Sequence, residues 1–106
     1  MRIWKYQLRL TGQQSLIMPK GAEFLSVQMQ GEILCLWALV DEYRGDTETT
    51  LITLYGTGHR VPRDPGEHIA TVQCDDGSLV FHVFAAKPYP SAELSRYRKA
   101  MDGEVL

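Results

Sequence analysis

Hydrophobic and polar residues alternate along most of the chain, which is the pattern of half-buried β-strands. In the first such segment, residues 2–10, Trp4 and Tyr6 fall on one face and Lys5 and Gln7 on the other. Turn-forming residues separate this segment from others of the same kind. The pattern predicts further strands at residues 15–18, 24–29, 33–40, 50–55, 69–74 and 79–84.

Two short polar connections predict β-hairpins. Gln30 and Gly31 join the strands between residues 24 and 40, and residues 75–78 join the last two strands. The run 33–40 is apolar on both faces. This favours a central strand covered on both sides, although a buried helix of that length has the same pattern.

Two longer polar segments interrupt the strands. Residues 41–49 carry four acids and one arginine, and they predict an exposed loop. Residues 56–67 contain three glycines and two prolines and almost no apolar side chain. Loops of that length without regular structure are usually functional or disordered. We therefore treat 56–67 as the first place to look for a binding surface.

The pattern changes near the C-terminus. Residues 87–90 (KPYP) interrupt the sheet, and Ser91 stands where a helix N-cap would, so a short helix is expected over 92–101. The chain thus divides into a β-rich domain over 1–86 and a C-terminal helical extension over 87–106. The fold class is α+β and mainly β, with six to seven mostly antiparallel strands, one short C-terminal helix and a long Gly/Pro-rich loop. The predicted core is Trp4, Tyr6, Leu8, Leu25, Val27, Leu36, Trp37, Leu39, Ile52, Leu54, Val72 and Phe81.

Composition narrows the function classes. The chain has 106 residues, 44% of them hydrophobic, and this length fits one folded domain. The chain has eleven Lys and Arg residues and thirteen Asp and Glu residues, so it lacks the excess of basic residues that is typical of a nucleic-acid binder. No run approaches the ~20 apolar residues of a membrane span, and the N-terminus does not resemble a signal peptide. We expect a cytoplasmic monomer that makes no membrane contact.

The charges are segregated, although the formal net charge is only −2. Acidic residues concentrate at 41–48, and basic residues concentrate at 60–63 and 96–99. Separated patches of opposite sign suit protein recognition better than nucleic-acid binding.

The sequence contains no clear motif for catalysis or for metal binding. Cys35 and Cys74 stand in apolar strands and are expected to be buried free thiols. A zinc site from His68, Cys74 and His82 is conceivable, but His68 and Cys74 would share a strand face about 20 Å apart, too far to hold one ion. No serine or cysteine has a base placed beside it by a recognisable motif. We expect no enzyme activity, no metal and no cofactor.

The G-x-G of residues 55–59 (YGTGH) follows a strand, as phosphate-binding loops do. A dinucleotide fingerprint needs a third glycine and a helix directly behind it, and neither follows here. Backbone amides beside the glycines, with His59, Arg60 and Arg63, can hold an anion. A solvated loop is the alternative interpretation.

Five strings in order, residues 3–6 (IWKY), 18–22 (MPKGA), 34–41 (LCLWALVD), 55–59 (YGTGH) and 79–84 (LVFHVF), resemble a family of small bacteriophage and mobile-element proteins that carry a domain of unknown function. The resemblance covers residues 1 to about 84 and brings no catalytic residues. It implies a mobile-element origin. Proteins of this size and origin include anti-CRISPR proteins, some of which act on type I effector complexes. The resemblance therefore implies a defence inhibitor in the host bacterial cytoplasm.

The leading hypothesis is a non-enzymatic phage or mobile-element protein that binds and inhibits a bacterial defence complex, with a type I CRISPR effector complex as the first partner to test. The alternatives are a protein that sequesters a small nucleotide signal and a minor phage structural protein. Arg96, Arg98 and Lys99 form a secondary patch, for which a solvated helix face is the alternative. The predicted partner-binding residues are Tyr55, His59, Arg60, Arg63, Asp64 and Glu67.

Overall fold

The structure is a computed structural model and describes residues 1–86. Every regular element in this part of the chain is a strand, which confirms the mainly β prediction. The helix expected over 92–101 lies outside the described residues. Among residues 1–86 there is accordingly no helix with the length and apolar character that a membrane crossing requires. The strands are β1 Arg2–Leu8, β2 Gln13–Pro19, β3 Glu23–Gln30, β4 Ile33–Val40, β5 Thr47–Gly56, β6 Glu67–Cys74 and β7 Leu79–Ala86.

The strands form two antiparallel sheets, one with the order β1-β4-β3 and the other with the order β2-β5-β7-β6. Both predicted hairpins are present, β3–β4 around Gly31 and β6–β7 around residues 75–78. Gly31 has a φ of 63°, in the left-handed region that a two-residue hairpin turn requires. The predicted acidic loop shortens to residues 41–46, because β5 begins at Thr47.

The segment from 57 to 66 is a crossover connection. β5 and β6 are both antiparallel to β7 and lie on either side of it, so they run parallel to each other. The chain leaves β5 opposite Phe81 and enters β6 opposite Ala85. These two points are separated by two strand spacings across the sheet and by four residues of rise along β7, which together give a distance of about 16 Å. Eleven residue steps can span about 36 Å, so the crossover has length to spare.

The core lies between the two sheets, which pack face to face. One sheet contributes the alternate residues of β4, and the other contributes the core-facing residues of β5 and β7. Burial of these side chains stabilises the fold by about 25 cal/mol for each Å² of apolar surface that is removed from water. The buried cluster is Leu8, Met18, Ala22, Val27, Leu34, Leu36, Ala38, Val40, Ile52, Leu54, Val72, Val83 and Ala85.

Six of the twelve predicted core residues are buried, and two predictions are wrong. Trp4 is 40% exposed because β1 is an edge strand, with no strand beyond it among residues 1–86. Leu25 is 50% exposed because a β-bulge between Phe24 and Ser26 turns it out of the alternation. The half-buried residues are Tyr6, Trp37, Leu39 and Phe81, and burial raises the pKa of the Tyr6 phenol.

β4 is the central strand of its sheet, as its two-sided apolar pattern predicted. Its outer face carries Cys35, which is fully buried as a free thiol. The register shows how it is covered, because the Lys5 Nζ on β1 donates to the Gln30 Oε1 on β3 at 2.8 Å and so spans β4. Cys74 is also free, but it is half-buried, so the expectation of two buried thiols holds for Cys35 alone.

Candidate functional site: the crossover and its histidine–threonine row

The crossover begins with a tight turn. The His59 amide donates to the Gly56 carbonyl at 3.1 Å, and Gly58 has a φ of 88°. The His59 ring packs against Gly56 so closely that a Cβ there would lie 3.2 Å from its Cε1 atom. The two glycines of the G-x-G motif are therefore explained by the turn itself, one by its backbone conformation and the other by the room it leaves for His59.

A chain of side-chain hydrogen bonds joins the two ends of the crossover. Thr57 Oγ1 lies 2.9 Å from His82 Nε2, and His82 Nδ1 lies 3.1 Å from Thr71 Oγ1. Thr71 Oγ1 also lies 2.9 Å from His68 Nε2. We call Thr57, His82, Thr71 and His68 the histidine–threonine row. It links the residue after β5 to β7 and β6, and so closes the base of the crossover.

All three hydrogen bonds of the row can be satisfied together. A neutral imidazole has one donor and one acceptor nitrogen, and a threonine hydroxyl can both donate and accept. With both histidines neutral, all three bonds can run in one direction along the row.

The end of the crossover is fixed by backbone contact. Gly66 has a φ of 96°, and a Cβ at this position would lie 2.7 Å from the Ala85 carbonyl oxygen. Any other residue would be strained there and would also collide with β7. The His68 ring next to it meets Phe84 edge-to-face, with ring centroids 5.3 Å apart. Both ends of the crossover are thus held against the sheet.

The middle of the crossover presents charged side chains to solvent. Five of the six predicted partner-binding residues are exposed, and Arg60, Arg63, Asp64 and Glu67 form no ion pair within residues 1–86. Tyr55 is different, because it is only 1% exposed and its ring meets Phe84 edge-to-face at 5.6 Å. The secondary patch of Arg96, Arg98 and Lys99 lies outside the described residues.

In the acidic loop, residues 41–46, charged side chains form ion pairs within the described part of the chain, unlike the charged side chains of the crossover. Arg44 Nε donates to Asp46 Oδ1 at 2.6 Å, and Arg2 on β1 pairs with Glu42. The Tyr43 amide donates to Asp41 Oδ1 at 3.1 Å. The hydrogen bond from Arg44 lowers the pKa of the Asp46 carboxyl, and the same bond raises the pKa of the Arg44 guanidinium. This loop neutralises much of its own charge.

The structure corrects the geometry of the conceivable zinc site. His68 and Cys74 do not share a strand face, because a β-bulge between His68 and Ala70 shifts the register of β6. His68 lies opposite Phe84, whereas Cys74 lies opposite Leu79, on the other face of the sheet. Within residues 1–86 no three His, Cys, Asp or Glu side chains are grouped to hold a metal ion. The expectation that the chain uses no metal stays a prediction.

Sequence reasoning missed the histidine–threonine row, although one signal was present. A hairpin with a four-residue connection at 75–78 pairs Cys74 with Leu79, and counting back along both strands places Thr71 opposite His82. The positions of Thr57 and His68 depend on the crossover and the bulge, which no local pattern predicts.

These features define a small two-sheet β-domain that presents a basic crossover, closed at its base by histidine and threonine side chains. Residues 1–93 match the family described as Domain of unknown function (DUF7352), and the chain belongs to that family. The match extends past residue 84, where the resemblance was expected to end. Neither a curated protein nor a solved structure matches the chain.

Proposed function

We propose that this protein is a non-enzymatic inhibitor that binds a partner protein through the crossover. The observation that carries the proposal is that Arg60 and Arg63 are exposed and unpaired within residues 1–86, between two ends that are held against the sheet. A partner with an acidic surface is the complement of this segment. Asp64 and Glu67 follow the arginines in the chain and add selectivity against uniformly acidic polymers.

The physical chemistry of arginine supports this role. Its planar guanidinium can form two parallel hydrogen bonds to one carboxylate, and arginine is enriched among residues that dominate binding energies. Ordering a loop on binding costs free energy, and anchored ends reduce that cost. The turn at Gly56–His59, the row and Gly66 anchor the crossover before a partner arrives.

The bonding of the histidines supports a non-enzymatic role. A histidine that activates a hydroxyl nucleophile has that hydroxyl on one ring nitrogen and a separate orienting group, such as a carboxylate, on the other. Within residues 1–86 both ring nitrogens of His82 contact threonine hydroxyls and neither contacts a carboxylate, and the His59 ring packs on Gly56. These contacts account for the two imidazoles by the architecture of the crossover.

The finer part of the proposal concerns origin and partner. The five strings that resemble phage and mobile-element proteins support a bacterial defence complex as the partner class, as for anti-CRISPR proteins. A type I CRISPR effector complex is the first member to test. Such complexes are large assemblies, and a domain of this size inhibits them by occupying a surface that the target DNA or another subunit needs.

The test is a DNA-binding assay with purified type I effector complex and labelled target DNA. The wild-type chain is expected to prevent formation of the DNA complex, and the double variant Arg60→Ala/Arg63→Ala is expected to lose that effect. Arg9→Ala/Lys20→Ala is the matched control, since it removes the same number of positive charges from exposed positions outside the crossover. Undiminished inhibition by the crossover variant, or no inhibition by the wild type, would overturn the proposal.

In the alternative function, sequestration of a nucleotide signal, the same arginines would bind the ligand. Calorimetry distinguishes this alternative from binding of a partner protein. Titration of the wild type with nucleotides and cyclic nucleotides is expected to be silent. Heat that disappears in the Arg60→Ala/Arg63→Ala variant would favour the alternative over a protein partner.

A further inference from the structure

A groove of about 710 Å³ opens at the end of the molecule away from the start of β6. It lies between the β3–β4 turn at Gly31 and Glu32 and the β6–β7 turn at residues 75–77, with Leu10 after β1 at its side. Its size falls within the range of sites that hold small ligands or short peptide segments.

The floor of the groove is the open end of the core. Met29 and Cys74 lie on the core-facing sides of β3 and β6, as their register with Leu34 and Leu79 shows. Leu10 and Leu79 also line it, and each is 47% exposed although it is a large apolar residue. Apolar surface from both sheets is thus accessible to a ligand at this point.

The rim of the groove carries negative charge only. Glu32 comes from one turn, and Asp75 and Asp76 come from the other, and no lysine or arginine lines the groove. Glu32 and Asp76 form no ion pair within the part of the chain that the structure describes. Three carboxylates therefore surround an apolar floor.

The turn that holds the two aspartates has a defined conformation. Gly77 donates its amide to the Cys74 carbonyl at 3.1 Å, and the Ser78 amide donates to the Asp75 carbonyl at 3.0 Å. The Ser78 hydroxyl also donates to Asp75 Oδ2 at 2.7 Å. One carboxylate is thereby oriented by the turn, while that of Asp76 is left for an external cation.

We infer that this groove binds a peptide segment of a partner protein in which an arginine or lysine stands next to a large apolar residue. The apolar side chain would occupy the floor between Met29, Leu79 and Leu10, and the cation would meet the carboxylates of Glu32 and Asp76. Charge complementarity selects this occupant, because the rim excludes acidic segments and the floor offers nothing to a purely hydrophilic cation. The inference is independent of the proposed function, since the groove has the opposite charge to the crossover and shares no residue with it.

The test uses the full chain and a fluorescein-labelled hexapeptide of alternating leucine and arginine, followed by fluorescence anisotropy. Saturable binding is expected. Glu32→Gln/Asp76→Asn should weaken it about fivefold or more, because it removes two charges from the rim. Glu23→Gln/Asp41→Asn is the matched control, since it neutralises two exposed acids elsewhere and should leave the affinity unchanged. The Arg60→Ala/Arg63→Ala variant should also bind as the wild type does.

A second readout needs no variant. Bound peptide is expected to slow alkylation of the Cys74 thiol by iodoacetamide, measured by mass spectrometry, because Cys74 lies in the floor. The inference is overturned if the leucine–arginine peptide does not bind. It is also overturned if an alternating leucine–glutamate peptide or spermidine binds equally well, or if the rim variant binds the peptide as the wild type does.

Discussion

The acidic loop and the crossover are both polar connections that lead into or out of β5, yet they dispose of their charges in opposite ways. In residues 41–46, Arg44 is bonded to Asp46, and Glu42 is paired with Arg2. In residues 57–66, Arg60 and Arg63 have no ion pair within the described part of the chain. A loop whose charged side chains are paired, within the loop or with β1, presents a weaker electrostatic field to a partner. The comparison therefore favours the crossover as the segment that carries the proposed recognition.

The two segments also differ in how the backbone is held. The acidic loop is short and is bonded to itself and to the Lys20 amide, which donates to the Asp46 carbonyl at 3.0 Å. The crossover spans a longer path and is fixed at its ends, by the row at one and by Gly66 at the other. Its central residues are thereby free to adapt while its position stays defined. The predictions below test this contrast.

The largest effect is expected from alanine at one chosen glycine in each segment, Gly66 in the crossover and Gly45 in the acidic loop. Gly66→Ala should lower the free energy of unfolding by about 2–4 kcal/mol, because it places a Cβ at a positive φ and against the Ala85 carbonyl. Gly45→Ala in the acidic loop should change it by less than about 0.5 kcal/mol, since no atom lies within 4 Å of the added Cβ. Urea unfolding measures both. Equal stability of the two variants would show that the end of the crossover is not fixed by Gly66.

A smaller, local effect is expected from the row. Thr57→Val keeps the side-chain shape but removes the hydroxyl bonded to His82 Nε2, at a cost of about 1 kcal/mol. Amide hydrogen exchange in residues 57–66 should become about fivefold faster, whereas exchange in 41–46 should not change. Exchange in the crossover that is as slow as in the wild type would argue that the row does not hold its base.

The arginines of the two segments should differ in their effect on folding. Arg60→Ala/Arg63→Ala should leave the free energy of unfolding within about 0.5 kcal/mol of the wild type, since neither side chain is paired. Arg44→Ala should lower the urea midpoint slightly at low salt, and high salt should abolish the difference by screening the pair. The contrast between the two segments would be wrong if Arg60→Ala/Arg63→Ala lowered the urea midpoint more than Arg44→Ala did and high salt removed that difference.

The smallest effect concerns pH. The bond from Arg44 lowers the pKa of Asp46 in the folded state, so its contribution to stability is present above the ordinary pKa of about 3.9 and is lost as the pH falls through the lowered value. Wild type should therefore exceed Asp46→Asn in stability at neutral pH and converge with it in strong acid. Asp64→Asn in the crossover is the control, because Asp64 has no ion pair in the part described. A constant offset for Asp46→Asn across this pH range would contradict the assigned pair.

Much of the fold could be predicted because strand alternation and hairpin turns are local. Gly31 and residues 75–78 specified both hairpins, and the apolar run of β4 indicated a central strand. The errors have non-local causes. Trp4 is exposed because of where β1 lies in its sheet, and Leu25 because of a bulge that alternation does not show.

The candidate site could be predicted only in part. Glycine and proline marked residues 56–67 as a long connection, and the exposure of Arg60 and Arg63 agrees with that expectation. That the segment crosses β7 depends on strand order, which the sequence pattern does not contain. The row depends on the same topology, since His82 and Thr57 are brought together from β7 and the chain beyond β5.

The central claim is that the crossover arginines, and not basic residues in general, bind a partner protein. The most direct measurement is the affinity of immobilised type I effector complex for three forms of the chain, by biolayer interferometry. Relative to wild type, Arg60→Ala/Arg63→Ala is expected to bind about tenfold or more weakly, and Arg9→Ala/Lys20→Ala within about threefold. Equal affinities for all three forms, or equal losses in both variants, would contradict the claim.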